Sequence, residues 1–167
     1  MAYPLRRVTR MNIYLDCPVF QDEKLSLSFL EGVIWNGKPI CPRCNEIERI
    51  APIGGNSTRL GVFKCYACRK PFTAKVGTVF DGSHLGLTVW FKALSIVYSS
   101  ENKPNYKFIK GVLGVSHKSA YSILKRIDEI KGDGWKKVVG SNAKCCSKAS
   151  LELAMFDVAA KRVEWFG

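Results

Sequence analysis

Four cysteines are arranged in two pairs that have the spacing of metal ligands. In the segment CPRCNEIERIAPIGGNSTRLGVFKCYAC, 20 residues separate one Cys-x-x-Cys pair from the next. Each pair lets a tight turn present two sulfurs to one ion, and two such turns complete a tetrahedron with Zn–S bonds of about 2.3 Å. Four thiolates leave no position open for the water that a hydrolytic zinc requires. The spacing therefore predicts one structural Zn²⁺, bound by Cys41, Cys44, Cys65 and Cys68.

The redox environment supports a metal site over a disulfide. The chain has seven cysteines, an odd number, and its N-terminus lacks the apolar stretch of a secretory signal. In a reducing cytoplasm, paired cysteines are more often metal ligands or redox groups than disulfides. A rubredoxin-like iron site, a redox dithiol and cysteines with no shared function are the alternatives for these residues. We expect Cys17 to be a small buried hydrophobe, and Cys145 and Cys146 to be free thiols.

A second segment, YKFIKGVLGVSHKSAYSILKRI, has the pattern of a helix-turn-helix. Gly114 permits a sharp turn and Ser116 is a suitable N-cap for the second helix. The residues at i, i+3, i+4 and i+7 of that helix, which are predicted to face inward, are Ala120, Ile123, Leu124 and Ile127. Such a helix can enter the major groove with its N-terminal side chains against base edges. The alternative is a plain helical hairpin with a solvated basic face. The DNA-contacting residues predicted here are Ser116, His117, Lys118, Ser119, Tyr121, Ser122, Lys125 and Arg126.

The positive charge is concentrated around these two segments. The net charge is +12, and residues 35–80 contain eight basic and two acidic residues, while residues 103–148 contain eleven and three. A basic excess in two blocks is typical of a nucleic-acid-binding protein, because phosphate neutralisation releases counterions. A well-solvated basic surface is the alternative interpretation. In the first block, the predicted phosphate contacts are Arg43, Arg59, Lys64, Arg69 and Lys70.

Helices and strands must position both segments. DEKLSLSFLEGVIW predicts a helix capped by Asp22, with Leu25, Phe29 and Leu30 on its apolar face, and TVWFKALSIVYSS predicts a buried helix. EIERIAPI, RLGVFKC and PFTAKVGTVF predict three antiparallel strands. The predicted fold is α+β, a small three-stranded antiparallel zinc ribbon followed by a helical helix-turn-helix domain. The predicted divisions are an N-terminal arm and helix (1–34), the ribbon (35–80), the helix-turn-helix domain (81–131), and a basic linker with a C-terminal tail (132–167).

These motifs together resemble a known family. FQDEKLSLSFLEGVIWNGKPICPRC, FKCYACRKPFTAKVGTVFDGSHLGLTVWFKAL and GVSHKSAYSILKRI are similar to the N-terminal part of zinc-ribbon transposases of bacterial insertion sequences, over about residues 18–130. The resemblance implies a DNA-binding head that recognises transposon ends. In that family, it is normally followed by an RNase H-like catalytic domain with acidic residues and divalent metal.

The chain departs from that pattern after Ile130, where 37 residues are too few for a catalytic domain. We therefore expect a cytoplasmic, nucleoid-associated protein that binds double-stranded DNA at transposon ends or regulatory sites without cleaving it. Its C-terminal tail would suit a homodimer or another protein, and no membrane partner is expected. The alternatives are a part of an active transposase or nuclease whose acids come from another chain, and a protein-interaction zinc ribbon.

Overall fold

The computed structural model describes residues 17–55, 60–100, 103–131 and Met155. A 3₁₀ turn at Pro18–Phe20 precedes the first helix. The elements are helix α1 (Glu23–Trp35), strands β1 (Ile50–Pro52), β2 (Phe63–Cys65) and β3 (Pro71–Phe72), and helices α2 (Leu87–Tyr98), α3 (Tyr106–Leu113) and α4 (His117–Lys131). The three strands form one antiparallel sheet in the order β1-β2-β3, so the predicted α+β class is confirmed.

Helix α1 begins at the predicted cap. The Asp22 carboxylate accepts the backbone N–H groups of Lys24 and Leu25 at 2.7 and 3.2 Å, which satisfies two of the unpaired donors of the first turn. The helix ends at Asn36, which adopts the left-handed conformation with φ of 47° and donates its N–H to the Gly32 carbonyl.

The buried face of α1 is rotated from the predicted one. Leu25 is 48% exposed, whereas Leu27 and Leu30 are buried. The hydroxyl of Ser26 donates to the Val19 carbonyl at 2.6 Å, which turns Ser26 and Leu27 towards the 3₁₀ turn. The placement of Leu25 on the apolar face was therefore wrong, because the Ser26 hydrogen bond to Val19, outside the helix, fixes the rotation of the helix.

The sheet packs one face against the end of α1. Ile50 pairs with Cys65, and Phe63 pairs with Phe72, so β2 is the central strand. The Trp35 ring lies edge-on to Phe63 at 5.1 Å and to Phe72 at 5.9 Å. Such edge-to-face contacts add to the burial of apolar area that stabilises this small sheet.

The third strand is shorter than predicted. Only Pro71–Phe72 pairs with β2, and the rest of PFTAKVGTVF folds into successive turns. Val76 donates its N–H to the Thr73 carbonyl, and Gly77 has φ of 71°. Phe72, Ala74 and Phe80 of this stretch are buried, Val76 and Val79 are half-buried against the core, and the Phe80 ring packs on Trp90.

Helix α2 is the buried spine that the sequence predicts. Nine of its twelve residues are buried, and it packs on α1, α3 and α4. Buried residues of the ribbon and of the helices belong to one core cluster, which also contains Met155. The remainder of the predicted linker and tail, with Cys145 and Cys146, lies outside the described residues. Across the described ranges, no helix is both long and apolar enough to cross a membrane.

Helices α3 and α4 pack against each other and are joined by a tight turn. Gly114 has φ of 65° and donates its N–H to the Lys110 carbonyl, which ends α3. The Ser116 hydroxyl oxygen accepts the Ser119 N–H at 3.1 Å and caps α4. The predicted inward face of α4 is confirmed, because Ala120, Ile123, Leu124 and Ile127 are all buried.

Candidate metal centre and nucleic-acid interface

Both Cys-x-x-Cys pairs lie in the same kind of backbone turn. The N–H of Cys41 donates to the Glu46 carbonyl at 3.0 Å, and the N–H of Cys65 donates to the Lys70 carbonyl at 3.1 Å. In each turn, the first cysteine therefore bonds to the carbonyl five residues later. This closure brings both sulfurs of a pair to the same side of the turn.

The residue after the second cysteine of each pair adopts the left-handed conformation. Asn45 has φ of 55° and Arg69 has φ of 62°. Asparagine adopts this conformation more readily than most residues, and arginine pays a larger steric cost. Arg69 adopts this conformation because the surrounding turn fixes its backbone. The sequence could not predict it, because arginine has no preference for the left-handed region. Its side chain is exposed, as a phosphate contact requires.

The four sulfurs are arranged as tetrahedral ligands. The Cys41 and Cys68 sulfurs lie 3.7 Å apart, those of Cys44 and Cys65 lie 3.5 Å apart, and all four lie within 4.8 Å of one another. A tetrahedron with Zn–S bonds of about 2.3 Å has sulfur separations of about 3.8 Å. The predicted ligands therefore form a site for one structural zinc, and no other residue is needed to complete it.

The Cys44 and Cys65 thiols differ in pKa. The N–H of Glu46 lowers the pKa of Cys44, but desolvation and the neighbouring thiols outweigh it and raise that pKa to about 12. Burial raises the pKa of Cys65, but the N–H groups of Cys68 and Ala67 and the neighbouring thiols outweigh it and lower that pKa to about 7. Zinc binding must therefore displace protons from this site, since only thiolates are ligands.

Glu46 supports the first turn. One of its carboxylate oxygens accepts the N–H groups of Ile47, Glu48 and Arg49, and the other accepts the Arg49 side chain at 3.1 Å. The N–H of Glu48, followed by those contacts with Arg49, lowers the pKa of Glu46. The carboxylate thus holds the chain between the first cysteine pair and β1, a role that the sequence analysis missed.

The outer face of the ribbon carries positive charge beside an aromatic ring. The Lys64 ammonium lies 5.4 Å from the centre of the Tyr66 ring, and that ring is 56% exposed. The Tyr66 N–H donates to the Arg49 carbonyl, so Arg49 lies next to Tyr66 across the strands. Phe63 and Cys65 alternate with Lys64 and point inwards, because successive side chains of a strand point to opposite faces.

Most of the predicted DNA contacts are accessible. Those with exposed side chains are Arg43, Arg69, Lys70, Ser116, His117, Lys118, Tyr121, Ser122 and Lys125, whereas Lys64, Ser119 and Arg126 are half-buried and Arg59 lies outside the described residues. The His117 ring contacts the Tyr106 ring at 4.3 Å, and the hydroxyls of Ser116 and Ser119 lie 2.9 Å apart within the cap. Contact of these residues with DNA stays a prediction.

Residues 21–71 match the family model described as the transposase zinc-ribbon domain. The match extends from the start of α1 through both cysteine pairs to β3, and it confirms the predicted resemblance for that segment. Helices α2, α3 and α4 lie beyond it. Neither the curated proteins nor the solved structures gave a match.

Proposed function

We propose that this chain, in which residues 21–71 form a transposase zinc-ribbon domain, binds double-stranded DNA with helix α4 in the major groove. The transposase ribbon and the basic surfaces support a role at transposon ends or at regulatory DNA. The observation that carries the proposal is the division of α4 into one buried apolar face and one exposed polar face, directly after a tight turn.

The exposed face of α4 has the composition that DNA recognition needs. Lys118, Tyr121, Ser122 and Lys125 follow one another at helical spacing and are all exposed, with Tyr121 at 61%. Lysines and hydroxyls can donate to phosphates and base edges, and an aromatic ring can contact a thymine methyl group. Asp128, further along α4, pairs with Lys103, which reduces the acidic charge near this face.

The ribbon supplies a second basic surface. Lys64 and Tyr66 lie on the outer face of the sheet, and Arg69 and Lys70 follow in the exposed turn at the second cysteine pair. Charges of this kind hold the phosphate backbone and carry little sequence information. In this proposal, the ribbon adds affinity and salt dependence while α4 reads the sequence.

The proposed activity is binding without strand cleavage, and zinc has a structural role in it. Four thiolates occupy the coordination sphere, so the ion has no position for an activated water. Short strands that bury little apolar surface depend on the metal for their fold. Incubation of the purified protein with Mg²⁺ or Mn²⁺ and supercoiled DNA tests this. Metal-dependent nicking that persists through repurification would refute the proposed lack of cleavage.

Selection of genomic fragments by the purified, zinc-loaded chain tests the binding itself. We expect recovery of fragments that share a sequence, with binding that weakens as salt rises by a slope of about −0.9 per phosphate neutralised. A Cys65→Ser chain, which lacks one zinc ligand, serves as the control and should recover the shared sequence less efficiently. Recovery of random fragments only would contradict sequence-specific binding. Recovery of no fragment would overturn the proposal and favour a role in protein interaction.

A further inference from the structure

Arg126 of α4 makes three contacts with a distant part of the chain. Its Nη1 donates to the carbonyl of Val79 at 3.0 Å and to that of Asp81 at 2.7 Å. Its guanidinium lies 6.0 Å from the Trp90 ring, the distance of a weak cation–π contact. The guanidinium is thus turned back onto the protein, although it lies one residue after the exposed Lys125.

The segment that receives Arg126, residues 77–83, is itself tightly folded, and we call it the GTVF loop. The Asp81 carboxylate accepts the Gly77 N–H at 3.1 Å, and the Thr78 hydroxyl oxygen accepts the Phe80 N–H at 3.2 Å. Phe80 is buried against α2, and the Trp90 indole donates to the Ser83 hydroxyl at 2.8 Å. The first two hydrogen bonds close the loop on itself, and the contacts of Phe80 and Ser83 attach it to α2.

The GTVF loop connects the ribbon to the helices. It follows β3 within five residues, and Lys75, just before it, pairs with Glu23 of α1 at 3.7 Å. A side chain of α4 that is fixed to this loop is therefore fixed to the ribbon as well. Charge-assisted hydrogen bonds from a planar guanidinium hold a particular orientation better than a flexible ammonium would.

We infer that Arg126 is a positioning residue that fixes helix α4 relative to the ribbon, so that the two proposed DNA-contacting surfaces bind one site of fixed spacing. The fixed spacing on DNA rests on the proposed function, whereas the attachment of α4 to the ribbon does not. It differs from the phosphate contact that the sequence predicts for Arg126, because an arginine that positions α4 affects the geometry of the site rather than the number of neutralised phosphates.

The first test measures the loop without DNA. Amide hydrogen exchange is followed in the zinc-loaded chain and in its Arg126→Lys, Arg126→Met and Lys125→Met variants. We expect the amides of Thr78, Phe80, Asp81 and Ser83 to exchange about tenfold faster in Arg126→Met, because methionine has no donor for the loop carbonyls, and faster by a smaller factor in Arg126→Lys, because a flexible ammonium holds them less well. The Lys125 variant should exchange as the wild type does. Unchanged exchange in both Arg126 variants would overturn the inference.

The second test measures spacing on DNA. A selected duplex is footprinted to locate the ribbon and helix contacts, and five base pairs, about half a helical turn, are inserted between them. We expect the insertion to weaken wild-type binding at least about tenfold, because the two surfaces then face opposite sides of the duplex. The Arg126→Met variant should bind the original site more weakly, lose much less affinity on insertion and keep the wild-type salt slope.

Two outcomes separate the rival roles. If Arg126 neutralises a phosphate, Arg126→Met reduces the salt slope by about 0.9 and leaves the penalty for insertion unchanged, which would overturn the positioning role. If the wild type binds no duplex, the proposed function fails and the spacing claim with it, while the exchange measurement still decides whether Arg126 fixes α4 to the loop. Zinc content and circular dichroism confirm that each variant is folded.

Discussion

Glu23, in the first turn of α1, caps helix α2 by accepting the backbone N–H of Leu87 at 2.8 Å, across 64 residues of sequence. Its second oxygen accepts the Thr88 N–H at 3.1 Å, and the ammonium of Lys75 lies 3.7 Å from the oxygen that accepts the Leu87 N–H. Gly86, the residue before α2, leaves room for this carboxylate, since a β-carbon there would lie 2.9 Å from it. A negative charge at a helix N-terminus is favourable, so one side chain joins α1, α2 and the turn at Lys75 that precedes the GTVF loop.

Removal of the Glu23 carboxylate should lower the stability of the protein. Glu23→Ala should lower the free energy of unfolding by about 1 kcal/mol, because two backbone donors lose their acceptor and the helix dipole loses a counter-charge. Glu23→Gln should cost less, since its amide oxygen still accepts. Urea denaturation in excess zinc measures both, with Glu48→Gln on the exposed ribbon as the control. Equal stability of all four proteins would show that the cap contributes nothing.

Two glycines should respond to alanine with opposite signs. Gly61 has φ of 69°, and a β-carbon there would lie 2.4 Å from a Leu27 methyl group, so Gly61→Ala should destabilise by about 1–2 kcal/mol. A β-carbon added at Gly32, inside α1, would have no atom within 4 Å apart from its chain neighbours and the backbone of its own helix, so Gly32→Ala should stabilise by about 0.5–1 kcal/mol. Thermal unfolding of both variants at the same zinc concentration checks the signs. A stabilising Gly61→Ala would contradict the packing of this turn on α1.

Zinc binding should have a stoichiometry of one and a strong pH dependence. The pKa of Cys44 is raised to about 12 and that of Cys65 is lowered to about 7, so Cys44 is protonated near neutral pH before metal binds. Proton displacement makes the apparent zinc affinity rise with pH and fall as pH is lowered. Competition with a chromophoric chelator at several pH values measures this. Cys65→Ser should lose zinc and ribbon structure, whereas Cys17→Ser should retain both.

The two DNA-contacting surfaces should respond differently to mutation. Lys118→Ala, near the start of α4, should cost about 1–3 kcal/mol at the selected site and relax its sequence preference. Lys70→Ala, in the ribbon, should weaken binding to selected and random DNA alike and flatten the salt slope. Competition binding at several salt concentrations separates the effects. If Lys118→Ala and Ser119→Ala leave the ratio of selected to random affinity unchanged, α4 is not the reading helix.

Local patterns in the sequence were sufficient for the elements whose determinants lie within a few residues. The cap at Asp22 and the inward face of α4 depend on neighbours two to four positions away, and both are confirmed. The zinc ligands were also predictable, because the Cys-x-x-Cys spacing limits the geometry of each turn and a tetrahedral ion needs two such turns. The family resemblance, predicted over about residues 18–130, is confirmed for residues 21–71.

The errors and omissions came from contacts between residues far apart in sequence. Leu25 has helical spacing but is exposed, because Ser26 bonds to Val19 and rotates α1. The sequence predicts a DNA contact for Arg126 and assigns no role to Glu23, and only the folded chain shows that Glu23 accepts from Leu87 and that Arg126 donates to Val79. Residue type and local period determine which elements form and which atoms bind metal. The partners of a long charged side chain are decided by the tertiary packing, because many backbone groups lie within its reach and only the fold selects among them.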